Sequence, residues 1–222
     1  MSRLFKTTQR NIVLPTKELI KIKGTDFRLL AIFSILSNVS NNTISGKNCR
    51  YISNRKVNNN MKQICKVLGM NTGQVTRGLN NLLKHKSNEF RIVEKEIDGK
   101  LQYCYEISYD KGGFITIPYD TLEKVLIGLG NNCIKLYGNL LWLCVEDGEF
   151  VERQLTQSFL LEQMGLSKSS TKILKVATDT LVKQGLIRTR REWIVETEIK
   201  DGVLKTTTPK ELIYYSIVME ED

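Results

Sequence analysis

The chain has 222 residues, 41% hydrophobic and 26% charged, with 33 Lys and Arg against 24 Asp and Glu for a net charge of +9. That mix is globular and not disordered, the length suits one large domain or two of about 110 residues, and the basic excess favours a polyanionic partner. The longest apolar run, Leu29–Leu36, falls far short of the roughly 20 residues of a membrane span, and Met1–Lys6 has no apolar core behind its charges; no signal peptide, no membrane partner and a cytoplasmic location are therefore expected.

In chain order, Ile12-Val-Leu-Pro-Thr-Lys-Glu-Leu19 reads as a short strand, a proline and a helix start. A very apolar helix follows over about 25–38. Between Ser45 and Asn60 lies a polar, basic connector with Arg50, Arg55 and Lys56, read as a loop. A short helix, Met61–Leu68, ends at Gly69, and a longer helix starts after Asn71. Strands Phe90–Ile97 and Leu101–Ser108 flank Asp98-Gly99, a strong hairpin signal. A join is expected near Asp110–Gly113.

The same order then repeats. Ile115-Thr-Ile-Pro-Tyr-Asp-Thr-Leu122 matches the first opening, with Pro118 standing 103 residues after Pro15. An apolar helix is expected over about 133–145. Ser158–Met164 precedes Gly165, and a longer helix follows Ser167. Leu186–Lys200 turns at Asp201-Gly202 into Val203–Val218. The expectation is an α+β protein of two similar domains, residues 1–110 and 111–222.

Charge divides unevenly. Residues 1–111 carry 20 basic and 8 acidic side chains, a net +12, and residues 112–222 a net −3. No acidic residue occurs between Asp26 and Glu89, a stretch that holds ten basic ones: Arg28, Lys47, Arg50, Arg55, Lys56, Lys62, Lys66, Arg77, Lys84 and Lys86. A solvated surface with no polyanion to meet usually mixes both signs, so this stretch is expected to track phosphates.

Helix, helix, tight turn, helix and hairpin make a winged helix-turn-helix, expected here in tandem. Glycine suits the left-handed end of the first helix of each turn, and Asn71 and Ser167 suit the start of the second. That second helix must leave steeply and present its N-terminal end to a groove of duplex DNA. At about 100° per residue, Val75, Leu79, Leu82 and Leu83 share an inner face, while Gln74, Arg77, Asn80, Asn81 and Lys84 share an outer one. Amides and arginine suit base edges, and lysine suits phosphates. In the second half, Ile173, Val176, Ala177, Thr180 and Leu181 are expected inside and Lys168, Lys172, Lys175 and Asp179 outside. Arg188, Arg190 and Arg191, beside Trp193, and Arg91, Lys95 and Lys100 in the first half, are the wing candidates.

This layout, which covers essentially the whole chain, resembles the tandem winged-helix initiators of plasmid replication. Ile134-Lys-Leu-Tyr-Gly-Asn-Leu140 is similar to the apolar helix that opens their second domain. The Ile-x-x-Pro openings resemble winged-helix replisome organisers of phages and Gram-positive bacteria. Ser170-Thr-Lys-Ile-Leu and Leu181-Val-Lys-Gln-Gly-Leu-Ile187 are equally similar to bacterial transcription regulators. The resemblance implies that Thr72, Gln74, Arg77, Asn81, Lys84, Lys168, Lys172 and Lys175 contact DNA.

No catalytic constellation is present, so no enzyme activity, cofactor or metal is expected. There is no phosphate-binding Gly-rich loop, and the single histidine, His85, excludes paired-histidine metal clusters. Five cysteines with no Cys-x-x-Cys pair are read as reduced thiols. Glu146-Asp-Gly-Glu149 is read as a solvated turn. The expected function is sequence-specific duplex-DNA binding at iterated origin sites. A dimeric transcriptional regulator and a protein-binding adaptor are the alternatives. Glu192, Glu196, Glu198 and the acidic tail are expected to face away from DNA, towards a replisome protein or a second copy.

Overall fold

A computed structural model of the chain describes residues 4–5, 7, 9–15, 24–40, 48–85, 89–109, 114–146, 148–195, 197–200, 203–206 and 209–218. Among these residues the fold is α+β, with seven helices and several small antiparallel sheets. No helix among them is long and apolar enough to cross a membrane. All five cysteines are free thiols.

The chain divides into two compact units, Met1–Lys135 and Leu136–Asp222. The division falls later than the expected join because β6 (Phe114–Pro118) pairs with β1 (Asn11–Pro15), setting Ile12 opposite Ile117 and Leu14 opposite Ile115. The two Ile-x-x-Pro openings are thus partners in one ladder, and Ile12, Leu14, Ile115 and Ile117 are all buried. Residues 16–23 and 110–113 lie outside the described residues.

The first unit is built on α1 (Gly24–Leu36), apolar nearly all round and buried at every residue from Leu29 to Leu36. A helix of that composition belongs inside a core. It packs against α2 (Asn54–Leu68) and α3 (Thr72–Leu83). Strands β2 (Asn38–Ser40), β3 (Asn48–Ser53), β4 (Phe90–Ile97) and β5 (Lys100–Tyr109) form one sheet in the order β2-β3-β5-β4. Asp98 and Gly99, at φ 52° and 71°, turn β4 into β5 in the left-handed conformations a type I′ turn requires. The unit also holds α4 (Tyr119–Gly128) and the start of α5 (Asn131–Leu143), the helix that carries the chain into the second unit.

The expected loop between Ser45 and Asn60 is not one. Its described part is strand β3 followed at once by α2. Cys49, Arg50 and Ile52 are buried there, and the Ser53 hydroxyl caps α2 by accepting from Lys56 N at 3.2 Å.

The second unit contains the rest of α5, a small hairpin of β7 (Val145–Glu146) and β8 (Glu149–Phe150), then β9 (Arg153–Gln154), α6 (Gln157–Gln163) and α7 (Thr171–Lys183). Strand β10 (Ile187–Ile194) pairs with β13 (Lys210–Ile217), and β11 (Thr197–Lys200) with β12 (Val203–Thr206). The sheet order is β10-β13-β9. The expected long hairpin is therefore two successive ladders; its Asp201-Gly202 turn lies outside the described residues.

Arg28 ties the first unit together. Its guanidinium donates to Val67 O at 3.0 Å and to Leu126 O, carbonyls in the last turns of α2 and α4, and to Asn131 Oδ1 at 3.4 Å. A cation at two helix C-termini answers the orphan carbonyls and the negative ends of both dipoles. Close by, a Cβ on Gly24 would stand 2.6 Å from Asn131 Cβ, so α1 and α5 meet there without room for a side chain. Burial lowers the Arg28 pKa from its ordinary value. We expect Arg28→Met to cost about 3 kcal/mol, since hydrogen bonds to a charged group are worth about 1.5–3 kcal/mol each. Arg28→Lys should recover only part of this, because one ammonium lacks the fork that reaches two helix ends. Urea unfolding of the three proteins checks both expectations.

Candidate nucleic-acid interface

Local chemistry sets the angle between α2 and α3. Gly69 ends α2 at φ 64°, and Met70 N bonds back to Cys65 O at 2.9 Å. Asn71 then opens α3 with a capping box: its Oδ1 accepts from Gln74 N, and Gln74 Oε1 accepts from Asn71 N, both at 2.9 Å. Val75, Gly78, Leu79 and Leu82 face the core as the helical phase requires, and Leu83 is half-buried. A Cβ on Gly78 would sit 3.1 Å from Leu29 Cδ2 and 3.2 Å from Asp26 Oδ1, so α3 lies close against α1.

The outer side of α3 exposes Thr72, Gln74, Arg77, Asn80, Asn81 and Lys84. Three of these are engaged within the fold, Thr72 through its hydroxyl, 3.9 Å from Cys65 Sγ. Gln74 serves the cap, and Asn81 Nδ2 donates to Asp26 Oδ2 at 3.2 Å. Arg77, Asn80 and Lys84 follow one another at helical spacing across the centre of the exposed side.

A second polar stripe lies on α2. Arg55, Asn58, Asn59, Lys62 and Lys66 are exposed and recur every three or four residues, which places them in one stripe. Sequence reading missed Asn58 and Asn59, which it left in the connector by beginning the helix at Met61, and it counted Lys62 and Lys66 only within the acid-free basic stretch. Ser53 followed by the run from Asn54 carried the signal: a cap, then polar and basic residues at i, i+3 and i+4 around buried Val57, Ile64 and Leu68. Between Asn54 and His85 there is no acidic side chain.

Two connector residues behave differently from expectation. Arg50 is buried at 7% exposure in β3, and its guanidinium bonds Gln9 Oε1. Gln9 in turn donates to Ile35 O at 3.2 Å and Ser37 O at 2.6 Å, so Arg50 supports the end of α1 and cannot reach a ligand. Lys56 is half-buried, and burial lowers its pKa.

In the second unit, Gly165 at φ 65° ends the turn after α6 as expected. The next helix starts at Thr171, after Ser170, and not at Ser167, whose hydroxyl lies 2.9 Å from those of Ser169 and Ser170. Lys168 is exposed in the turn, and Lys172 and Lys175 are exposed on α7. The inner face is Leu174, Ala177 and Leu181. Ile173 and Val176, expected inside, are 39% and 57% exposed. Leu174 takes the inner position because it shares a stripe with Ala177 and Leu181 at i, i+3 and i+7.

The arginines of β10 differ sharply from one another. Arg188 is exposed. Arg190 is held by Glu152, at 2.6 Å from Nη2 to Oε2, and by Glu192, and it lies 4.1 Å over the Tyr214 ring. Arg191 bonds Glu211 at 2.9 Å. In the first unit, Arg91 bonds Glu106 at 2.7 Å and Lys95 stands 3.9 Å over Tyr51. The positive charge of Arg190 is thus compensated by two carboxylates, whereas the α2 and α3 stripes have no acidic neighbour within their own helices. Among the described residues no cluster of His, Cys, Asp and Glu could hold a metal ion.

Compared with protein-family models and with curated proteins, the chain matches none.

Hydrogen bonds from Arg190 hold the Glu152 carboxyl below the ordinary carboxylate range. A lowered carboxyl pKa contributes stability that is present above the unfolded-state value and is lost as pH falls. Arg190→Met should therefore be less stable than the natural protein at pH 7. The gap should close as pH drops from about 5 to about 3, as thermal melts across that range would show.

Proposed function

We propose that this chain is a sequence-specific duplex-DNA-binding protein made of two winged helix-turn-helix units. The observation that carries the reading is the acid-free outer surface of α2 and α3. It sets Arg55, Lys62, Lys66, Arg77 and Lys84 in solvent among amides, on two helices joined by a tight glycine turn. The sheets support the winged-helix assignment. In each unit a helix, a strand and two helices precede a strand pair, and the last strand lies in the middle of the sheet: β3-β5-β4 and β9-β13-β10. That order brings the hairpin back beside the helix pair, as a wing requires.

The roles divide by chemistry. Arg55, Lys62, Lys66, Lys84, Lys168, Lys172, Lys175 and Arg188 bind phosphates. Arg77 and Asn80 read base edges in the major groove, at about 1–3 kcal/mol of discrimination for each good bidentate pair. On α7 the exposed Val176 lies next to Lys172 and Lys175, with Asp179 on its other side, and an apolar group on a DNA-facing helix suits the methyl of thymine. Two DNA-binding units in one chain suit iterated sites, as at an origin of replication. That role rests on the resemblance to plasmid initiators and replisome organisers. DNA recognition of this kind needs no catalytic group or cofactor.

Fluorescence-anisotropy titration against duplex DNA tests the reading. With about 6 phosphates neutralised, affinity should fall roughly 10³-fold between 50 and 200 mM salt. Arg77→Ala and Lys62→Ala should each weaken binding, Lys62→Ala with a shallower salt slope, while Arg190→Ala should leave it nearly unchanged. No binding at 50 mM salt would refute the proposal. In a selected site, replacing thymine by uracil at one position should weaken the natural protein several-fold and leave Val176→Ala unaffected. Direct repeats among selected sites support the origin role, and an inverted repeat supports a dimeric regulator instead.

A further inference from the structure

The ribbon of β4 and β5 has two unlike faces. Its register sets Ile92 opposite Tyr105, Glu94 opposite Tyr103 and Glu96 opposite Leu101, so these six share one face. That face begins inside the core, where Phe90, Tyr105 and Phe33 pack with ring centroids 5.5–5.8 Å apart. It then runs out into solvent, with Ile92 51%, Tyr103 61% and Leu101 70% exposed. The other face carries Arg91, Val93, Lys95, Ile97 and Lys100, with Val93 and Ile97 half-buried.

Two further observations bear on what this ribbon meets. Strand β4 lies at the edge of the sheet order β2-β3-β5-β4, so its outer backbone has no strand partner among the described residues. An edge of eight residues is a ready template for another strand. The apolar strip is also interrupted by Glu94 and Glu96, which would repel phosphates and which draw positive charge.

Three central registers for pairing with a second copy oppose like charges, whereas the register centred on Ile92 does not and is the dimer outcome of the test below. Antiparallel pairing of β4 with itself about a two-fold axis keeps each face on its own side, so even-numbered residues meet even and odd meet odd. Centred on Val93, such a pair sets Arg91 against Lys95. Centred on Glu94, it sets Glu94 against its own copy. Centred on Lys95, it sets lysine against lysine and Glu94 against Glu96. Directly opposed like charges are destabilising.

We propose that the β4 edge is a docking site for an extended segment of another protein, with basic and apolar residues in alternation, which adds as a fifth strand. Its basic residues lie over Glu94 and Glu96, with their alkyl stems along Ile92, Tyr103 and Leu101. Its apolar residues lie beside Val93 and Ile97. Main-chain hydrogen bonds supply affinity and the two faces supply specificity. The proposal is tested apart from DNA binding, because it uses the outer edge of the hairpin and its Glu94 and Glu96 face, whereas the DNA reading rests on α2 and α3.

The test is an NMR titration of the full chain with a nine-residue peptide of alternating lysine and valine, alongside a glutamate–valine peptide of the same length. The chain's net charge of +9 works against adventitious capture of the lysine peptide. Shifts should centre on residues 90–97 and 100–105, and amides of β4 should gain protection from exchange. Glu94→Lys combined with Glu96→Lys, both at exposed positions, should weaken the lysine peptide at least tenfold and make β4 bind the glutamate peptide. Melting temperatures of both proteins confirm that folding is unchanged. The proposal is overturned if the lysine peptide leaves β4 unshifted, if the double variant binds it equally well, or if β4 is already covered by a second copy in a concentration-dependent dimer.

Discussion

In the first unit, the Arg28 guanidinium holds the C-terminal ends of α2 and α4 and the start of α5 to one point on α1. Those helix ends carry carbonyls with no partner in their own helices, and one planar cation answers two of them. With the end of α2 held there, Gly69 and the Asn71–Gln74 box determine how α3 leaves it. The outer stripes of both helices therefore reach solvent in a set orientation. Arg28 belongs to the acid-free stretch, yet it is spent inside the fold. A basic excess counted along the chain overstates the charge that a ligand meets.

The same sorting applies elsewhere. Arg50 is consumed by Gln9 and Arg190 by two glutamates, while Arg55, Lys62, Lys66, Arg77 and Lys84 stay in solvent. Charge compensation is local, so the units differ in kind as well as in net charge. The exposed stripes of α2 and α3 in the first unit carry basic and amide side chains and no acidic one. The β10 surface of the second mixes ion pairs with an exposed Trp193, at 66% exposure. The edge at β4 differs again, with apolar groups between glutamates. The two proposals accordingly place a polyanion and a basic segment on different surfaces of one chain.

Short-range chemistry was legible in the sequence. Gly69, Asp98-Gly99 and Gly165 behave as expected because each needs a left-handed backbone that few residues tolerate, and Asn71 does so because its side chain caps the next helix. The inner face of α3 was legible for the same kind of reason, through a strong 3.6-residue period. Long-range pairing was not. Nothing local to Ile12–Pro15 or Ile115–Pro118 says that these strands pair with each other; their likeness suggested two domain openings. Burial of single charges was equally hidden, since Arg50 in Cys49-Arg-Tyr-Ile52 differs from a surface arginine only by the Gln9 brought to it from 41 residues away. On α7, two β-branched residues at helical spacing suggested a core face, whereas the Leu174–Ala177–Leu181 stripe fills it and leaves Ile173 and Val176 outside.

These features support a DNA-reading protein whose first unit supplies most of the electrostatic attraction through α2 and α3. Hydrogen–deuterium exchange of the full chain, with and without an excess of mixed-sequence duplex at low salt, tests that claim most directly. Slowed exchange concentrated in residues 54–84, with a weaker effect over 168–183, is the predicted result. Exchange unchanged across 54–84 while the duplex is bound, or slowed only along β4, would contradict it.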